Sequence, residues 1–297
     1  MLRRRQASLL ICALLLLGMM VPCLGMAEEA EPKTTSGTEG DKLHNHWHIL
    51  FYLPGWLAGM KGDVAVKGIN ANVDVSIWQS IKNLQYLNAM GLGHLEVKKG
   101  RWGLLLEGIY MNMEQDVAAA GKIKLPIIAP VEIPVSGRGE VFSGLSFDEA
   151  DLLYDLYRSS SSVGNRPVLT IEALGGARYA YFRTKIDGTI TGPLGNAVSI
   201  FKAGTKQWVD PILGGRVSWN LSKDWMVGFR ADVGGFDLSS KITWNLDATV
   251  RYRITKWLNL DGGFRALYMD HETGSGRNKF EYEVWTYGPW LGLGLVF

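Results

Sequence analysis

The residues of this chain with the most chemical potential are charged side chains that recur at even spacings. Glu96, Glu107, Asp151, Asp155, Glu172, Asp210, Asp232, Asp247 and Asp261 supply carboxylates, and Arg178, Arg216, Arg230, Arg251, Arg253 and Arg265 supply guanidiniums. Turned to one side of a curved sheet, these groups form Arg–carboxylate forks, because an isolated charge in a narrow interior is costly. One reading is a structural network that fills the interior. The other is a polar lining for small solutes, whose mixed signs argue against strong anion or cation selectivity.

Histidine chemistry is the next candidate. The chain has five histidines: His44, His46, His48, His94 and His271. A histidine between carboxylates, as in Asp270-His271-Glu272, suits acid–base work or metal binding. Neighbouring strand residues diverge, however, so these three do not share a face, and a solvated loop is the expectation. His44, His46 and His48 would align on one strand face, but a solvated leader explains them. His94 faces inward, and no serine stands with it in a nucleophile motif. No catalytic residue, metal or cofactor is therefore assigned, and a membrane enzyme is a runner-up class.

Strands must position these groups, and Ile242–Ile254 shows how. Ile242, Trp244, Leu246, Ala248, Val250, Tyr252 and Ile254 alternate with Thr243, Asn245, Asp247, Thr249, Arg251 and Arg253. One face is apolar and the other polar. Trp47–Ala58, Leu87–Val97, Trp102–Met113, Phe147–Arg158, Leu169–Tyr181, Trp208–Leu221, Trp225–Val233, Leu258–Tyr268 and Tyr282–Phe297 read as further strands. A helix is the rival reading for 148–158, which lacks β-branched residues.

Connections alternate in length. Those at Lys99, Ser159, Ser222 and Thr255 are short, while Met60–Val75, Glu114–Leu145, Lys185–Lys206 and Asp270–Lys279 read as longer outer loops. Ser76–Leu84 is a candidate helical turn. Short turns on one side and long loops on the other are the habit of bacterial outer-membrane barrels. The prediction is an all-β, closed antiparallel transmembrane up-and-down β-barrel of about ten strands, with eight or twelve as alternatives. Its apolar side faces lipid, with Trp102, Tyr110, Trp219, Trp225, Trp244, Tyr252, Tyr268, Trp285 and Tyr287 in two interfacial girdles.

The ends of the chain agree. Residues 1–27 read as a signal peptide: Arg3–Arg5, an apolar run over Ser8–Val21, then small Gly25 and Ala27. A retained anchor and lipidation at Cys23 are the alternatives, the latter weakened by Pro22. Residues 28–45 are aperiodic and read as a disordered periplasmic leader, leaving 46–297 for the barrel. Both cysteines, Cys12 and Cys23, lie in the signal, so the mature chain has no thiol chemistry. The formal charge of +2 falls to −1 once Arg3, Arg4 and Arg5 are removed, leaving no basic field for nucleic acid. The mean hydropathy of +0.02 argues against membrane helices but suits alternating strands.

Several runs carry a resemblance. Trp208-Val209-Asp210-Pro211, Gly215-Arg216, Asp232-Val233-Gly234-Gly235-Phe236 and Gly263-Phe264-Arg265 resemble a family of bacterial outer-membrane β-barrel proteins. Tyr52, Trp56, Gly59, Gly100-Arg101-Trp102-Gly103 and Gly176-Ala177-Arg178-Tyr179 belong to the same likeness, which departs at Glu114–Leu145. The resemblance implies a porin-like fold in the outer membrane and brings no activity. The last strand also resembles the signal read by the barrel assembly machinery, with Tyr287, Leu291, Leu293, Leu295 and Phe297 on one face. The partners expected are thus outer-membrane lipid and that machinery. Glu114–Leu145, stiffened by Pro126, Pro130 and Pro134, is a candidate recognition loop or, alternatively, a raised hairpin continuing the wall.

Overall fold

A computed structural model describes residues 46–66, 69–78, 87–125, 131–191 and 197–297; the expected signal peptide and leader lie outside them. The strands are β1 (His48–Trp56), β2 (Gly59–Val66), β3 (Ile69–Val75), β4 (Leu87–Lys99), β5 (Trp102–Leu125), β6 (Val131–Arg158) and the short pair β7 (Ser162–Val163) and β8 (Arg166–Pro167). They continue as β9 (Leu169–Thr191), β10 (Ala197–Asn220), β11 (Trp225–Gly234), β12 (Ile242–Arg253), β13 (Leu258–Thr273) and β14 (Phe280–Val296). Strand is the outcome at Phe147–Arg158: its alternating apolar and acidic residues fit a pleated wall better than a helix face.

Antiparallel ladders run β1-β4-β5-β6-β9-β10-β11-β12-β13-β14, and β1–β14 pairing closes the ring of ten. β14 serves two partners. Its Trp290–Val296 half pairs with β1, while its Phe280–Tyr287 half pairs with β2. The stretch Met60–Val75, expected as loop, is therefore the β2–β3 hairpin, laid along the outer half of β14. Closure matters physically because lipid offers no hydrogen-bond partner for a free strand edge.

Two further loop expectations are corrected to strand. The β5–β6 ladder continues from the wall to Leu125↔Val131, and β9–β10 to Thr191↔Ala197. Prolines do not prevent this at Pro134, because the β6–β9 ladder begins only at Ser136. Among the described residues Pro134 pairs with β5 alone, and a strand tolerates a residue without an N–H where that group has no ladder partner to meet. Pro126 and Pro130 lie outside the described residues. Along the described backbone, 114–125 and 131–145 thus pair as a raised continuation of the wall.

The outward face is that of a membrane barrel. Leu152, Leu213, Val217, Phe229, Val250, Phe264, Leu291 and Leu293 are exposed there. Near the periplasmic ends Trp102 packs on Tyr154 at 4.7 Å and Trp225 on Tyr252 at 4.8 Å. On the outer side Trp244, Tyr268 and Trp285 pack on one another. Trp244 and Tyr252 are eight residues apart on β12, roughly 27 Å of strand, which barrel tilt shortens to about 20 Å. Phe264 sits between these girdles, opposite Ala248. Phe264→Arg is expected to cost about 2–4 kcal/mol of stability, measured as a lowered urea midpoint of the protein folded in lipid vesicles.

Inside, the volume is tight where strands must approach. At Gly176 an added Cβ would lie 2.1 Å from the Ala150 carbonyl and 2.3 Å from an Asp151 carboxylate oxygen. Glycine there leaves room for the acidic row of β6.

Candidate functional site: a charged lumen under an apolar lid

The inward rows of the strands meet across the lumen rather than only along the wall. At mid-height the hub is Glu149, which accepts Arg178 Nε at 2.7 Å, Arg230 Nη2 at 2.7 Å and Arg265 Nη2 at 3.1 Å. Asp232 accepts Arg178 Nη2 at 2.6 Å, Arg230 Nε at 2.9 Å and Asn245 Nδ2 at 2.9 Å. Arg230 also reaches Asp151 at 3.0 Å, and Arg265 donates to Glu107 and to Asn245 Oδ1. β6 and β13 stand five places apart in a ring of ten. The Glu149–Arg265 bridge therefore crosses a full diameter.

A second group lies toward the periplasm. Arg216 forks onto Glu96 through Nη1 at 2.7 Å and Nη2 at 2.8 Å, and reaches Glu172 through Nε at 2.6 Å. Lys98 joins Asp155, at 3.0 Å, to Glu172, and Arg158 also donates to Asp155. His94 stands 3.1 Å from Glu107 and 3.8 Å from Glu96, with its ring stacked on Tyr52 at 4.1 Å. Nearer the periplasm, Arg251 forks onto Asp261 at 2.7 and 3.0 Å. Buried charge on this scale is tolerable only because nearly every guanidinium fork meets a carboxylate.

Three residues of the expected charge rows do other work. Asp210 accepts the Ser240 N–H at 2.8 Å, the Ser240 hydroxyl at 2.7 Å and Trp208 Nε1 at 3.1 Å, so it pins the β11–β12 loop. Asp247 accepts Thr249 Oγ1 at 2.6 Å and Trp290 Nε1 at 2.9 Å. Arg253 donates to Asn220 Oδ1 at 2.6 Å and to the Lys223 carbonyl at 3.2 Å. None of the three has an ion-pair partner among the described residues.

Glu149, Lys98 and Arg158 are the network members that sequence reasoning missed. The signal for two of them was present. Glu149 has the parity of Asp151 and Asp155, and Lys98 that of His94 and Glu96. Arg158 follows a register shift between Asp155 and Tyr157, which alternation alone does not reveal.

Above the network the interior turns apolar. Trp56, Ile109, Met111, Leu145, Phe147, Phe182, Trp208, Leu267, Met269, Phe280, Tyr282 and Val284 form one buried cluster. His271 belongs with this lid, which corrects its reading as a solvated loop residue. β13 extends to Thr273, so His271 points inward, stacks on Trp208 at 4.2 Å and contacts the Ser239 carbonyl at 3.0 Å. Its neighbours point outward. Lys241 bridges Glu272 at 2.7 Å and Asp270 at 3.6 Å, and Lys279 reaches Glu272 at 3.0 Å. Hydrogen bonds from Lys241 and Lys279 pull the half-buried Glu272 carboxyl down to about 2.

Between the network and the periplasmic end lies a cavity of about 290 Å³. Tyr52, Glu107, Arg230 and Arg265 border its inner part, and Arg166, Asn220, Arg251 and Arg253 its periplasmic part. His48 lines it too, while His46 is exposed. His44 lies outside the described residues, among which no group of three His, Cys, Asp or Glu is placed to hold a metal.

No family model and no curated protein matches the chain. Solved structures of similar shape include the translocator domain of the autotransporter NalP from Neisseria meningitidis, with a TM-score of 0.37 and 11% identity over 85% of this chain and 89% of that one. Ail, the attachment invasion locus protein of Yersinia pestis, gives 0.27 and 8% over 84% and 98%. The toluene transporter TodX of P. putida gives 0.30 and 8% over 84% and 89%. At such values the barrel assignment rests on the chain's own strand order, lipid face and girdles. This is an outer-membrane β-barrel.

Proposed function

We propose that this chain is a closed outer-membrane barrel that serves the envelope through its structure and surfaces rather than by conducting solutes. The observation that carries this reading is Arg265, which bridges Glu149 and Glu107 across the diameter beneath a buried apolar lid. An ion moving through would have to break charge-assisted bonds and then cross an apolar layer. The raised β5–β6 and β9–β10 hairpins offer the surface for an external partner, and the outward row of Tyr287, Leu291, Leu293, Leu295 and Phe297 the face for the assembly machinery.

A cell lacking the protein tests the proposal. Outer-membrane integrity should fall, read as increased sensitivity to large antibiotics and detergents, while uptake of small sugars and amino acids stays at the wild-type rate. Slower small-solute uptake with an intact envelope would instead support a narrow channel, for which the polar cavity is the supporting observation.

A further inference from the structure

The periplasmic turns look too short to build a site, yet one of them does more than reverse the chain. Between β6 and β9 the β7–β8 hairpin turns through Gly164 and Asn165, at φ 57° and 61°, the paired positive values of a tight hairpin turn. It is tied to the end of β10: Asn220 donates its N–H to the Val168 carbonyl at 2.8 Å and its Nδ2 to the Pro167 carbonyl at 2.7 Å. Gly164 lies so close to the β10–β11 turn that an added Cβ would stand 3.1 Å from the Lys223 Cβ. This docking sets Arg166 at the periplasmic part of the cavity, beside Arg251 and Arg253.

The donors there are under-used. The Arg166 side chain has no hydrogen-bond or ion-pair partner among the described residues, so its five guanidinium N–H groups are open. Arg251 spends Nε and Nη2 on Asp261, leaving Nη1. Arg253 spends Nη1 and Nη2 on backbone and amide oxygens, leaving Nε. Asp261 is already engaged by Arg251, and Asp224, in the β10–β11 turn, is the other carboxylate whose charge reaches Arg253. Deeper in the lumen the guanidiniums of Arg178, Arg216, Arg230 and Arg265 are each matched by carboxylates; among the described residues at this mouth, positive charge is in excess.

We propose that Arg166, Arg251 and Arg253 form an oxyanion site at the periplasmic mouth of the lumen, for inorganic phosphate or a small phosphomonoester. The open Arg166 fork, joined by the remaining donors of Arg251 and Arg253, suits a tetrahedral oxyanion, and a partly enclosed site strengthens the attraction. Burial and the neighbouring Arg251 charge push the Arg166 guanidinium below its ordinary value, a repulsion that a bound dianion relieves. The inference does not depend on whether the barrel conducts.

The test is calorimetric titration of the full chain, refolded in nonionic micelles at low salt, with inorganic phosphate and with chloride. Saturable one-to-one phosphate binding is expected, weakened at least about tenfold in Arg166→Gln and unchanged in Arg101→Gln, a turn residue outside the cavity. Arg166→Lys keeps the charge and loses the fork, so it should retain part of the affinity even if the Gln variant folds poorly. Absence of phosphate binding overturns the proposal, as does binding indifferent to Arg166. Binding seen only with phosphatidylglycerol added would put the anion on a lipid headgroup and also overturn it.

Discussion

Replacing Glu149 by alanine is expected to destabilise the barrel by about 3–5 kcal/mol. The residue is 4% exposed and accepts from three guanidiniums on three different strands. Removing it leaves Arg178, Arg230 and Arg265 crowded together, with Asp232, Asp151 and Glu107 as their remaining carboxylates. The penalty is that of buried positive charge left short of its shared carboxylate, not the loss of one ordinary hydrogen bond. Urea titration of the protein in lipid vesicles, followed by the gel shift between folded and unfolded forms, reads the effect. An unfolding free energy within about 0.5 kcal/mol of wild type would mean that water or neighbouring groups already satisfy the three arginines.

Trp208→Ala is expected to be of similar size, about 3–5 kcal/mol, by a different route. Trp208 is 6% exposed, packs within the lid and stacks on His271. It also donates to Asp210, the residue that holds Ser240 and with it the β11–β12 loop. Loss of the indole opens a void in the lid and frees this loop together. Chymotrypsin added outside intact cells should then cut near Phe236 and Leu238, which are exposed but held in wild type. Destabilisation without new cleavage would separate the packing of Trp208 from its hold on the loop.

The parts of the fold that were legible in sequence were those where burial and alternation agree. In Ile242–Ile254 the outward row meets lipid and the inward row meets charge, so a period of two names both faces. The same rule places Arg178, Arg216, Arg230 and Arg265 in the lumen. It does not say which carboxylate each finds, because partners come from opposite strands and depend on ring order. It also fails at the outer end, where Ile109, Met111, Phe147 and Phe182 are apolar and face inward. There both faces are apolar, so alternation of character fades while alternation of direction continues. His271 was misread for the same reason: its strand outlasts the amphipathic pattern. Glycines, prolines and an irregular pattern made Glu114–Leu145 and Lys185–Lys206 look like loops. Their backbones stay in ladder because neighbouring raised strands pair with them.

A closed lumen carries no current, and planar-bilayer recording of the refolded wild-type protein is the test. With inserted barrels counted independently by fluorescent label, the membrane current should stay at the lipid baseline across both voltage polarities and at high salt. Steady, reproducible conductance steps that scale with the number of inserted barrels would contradict the account.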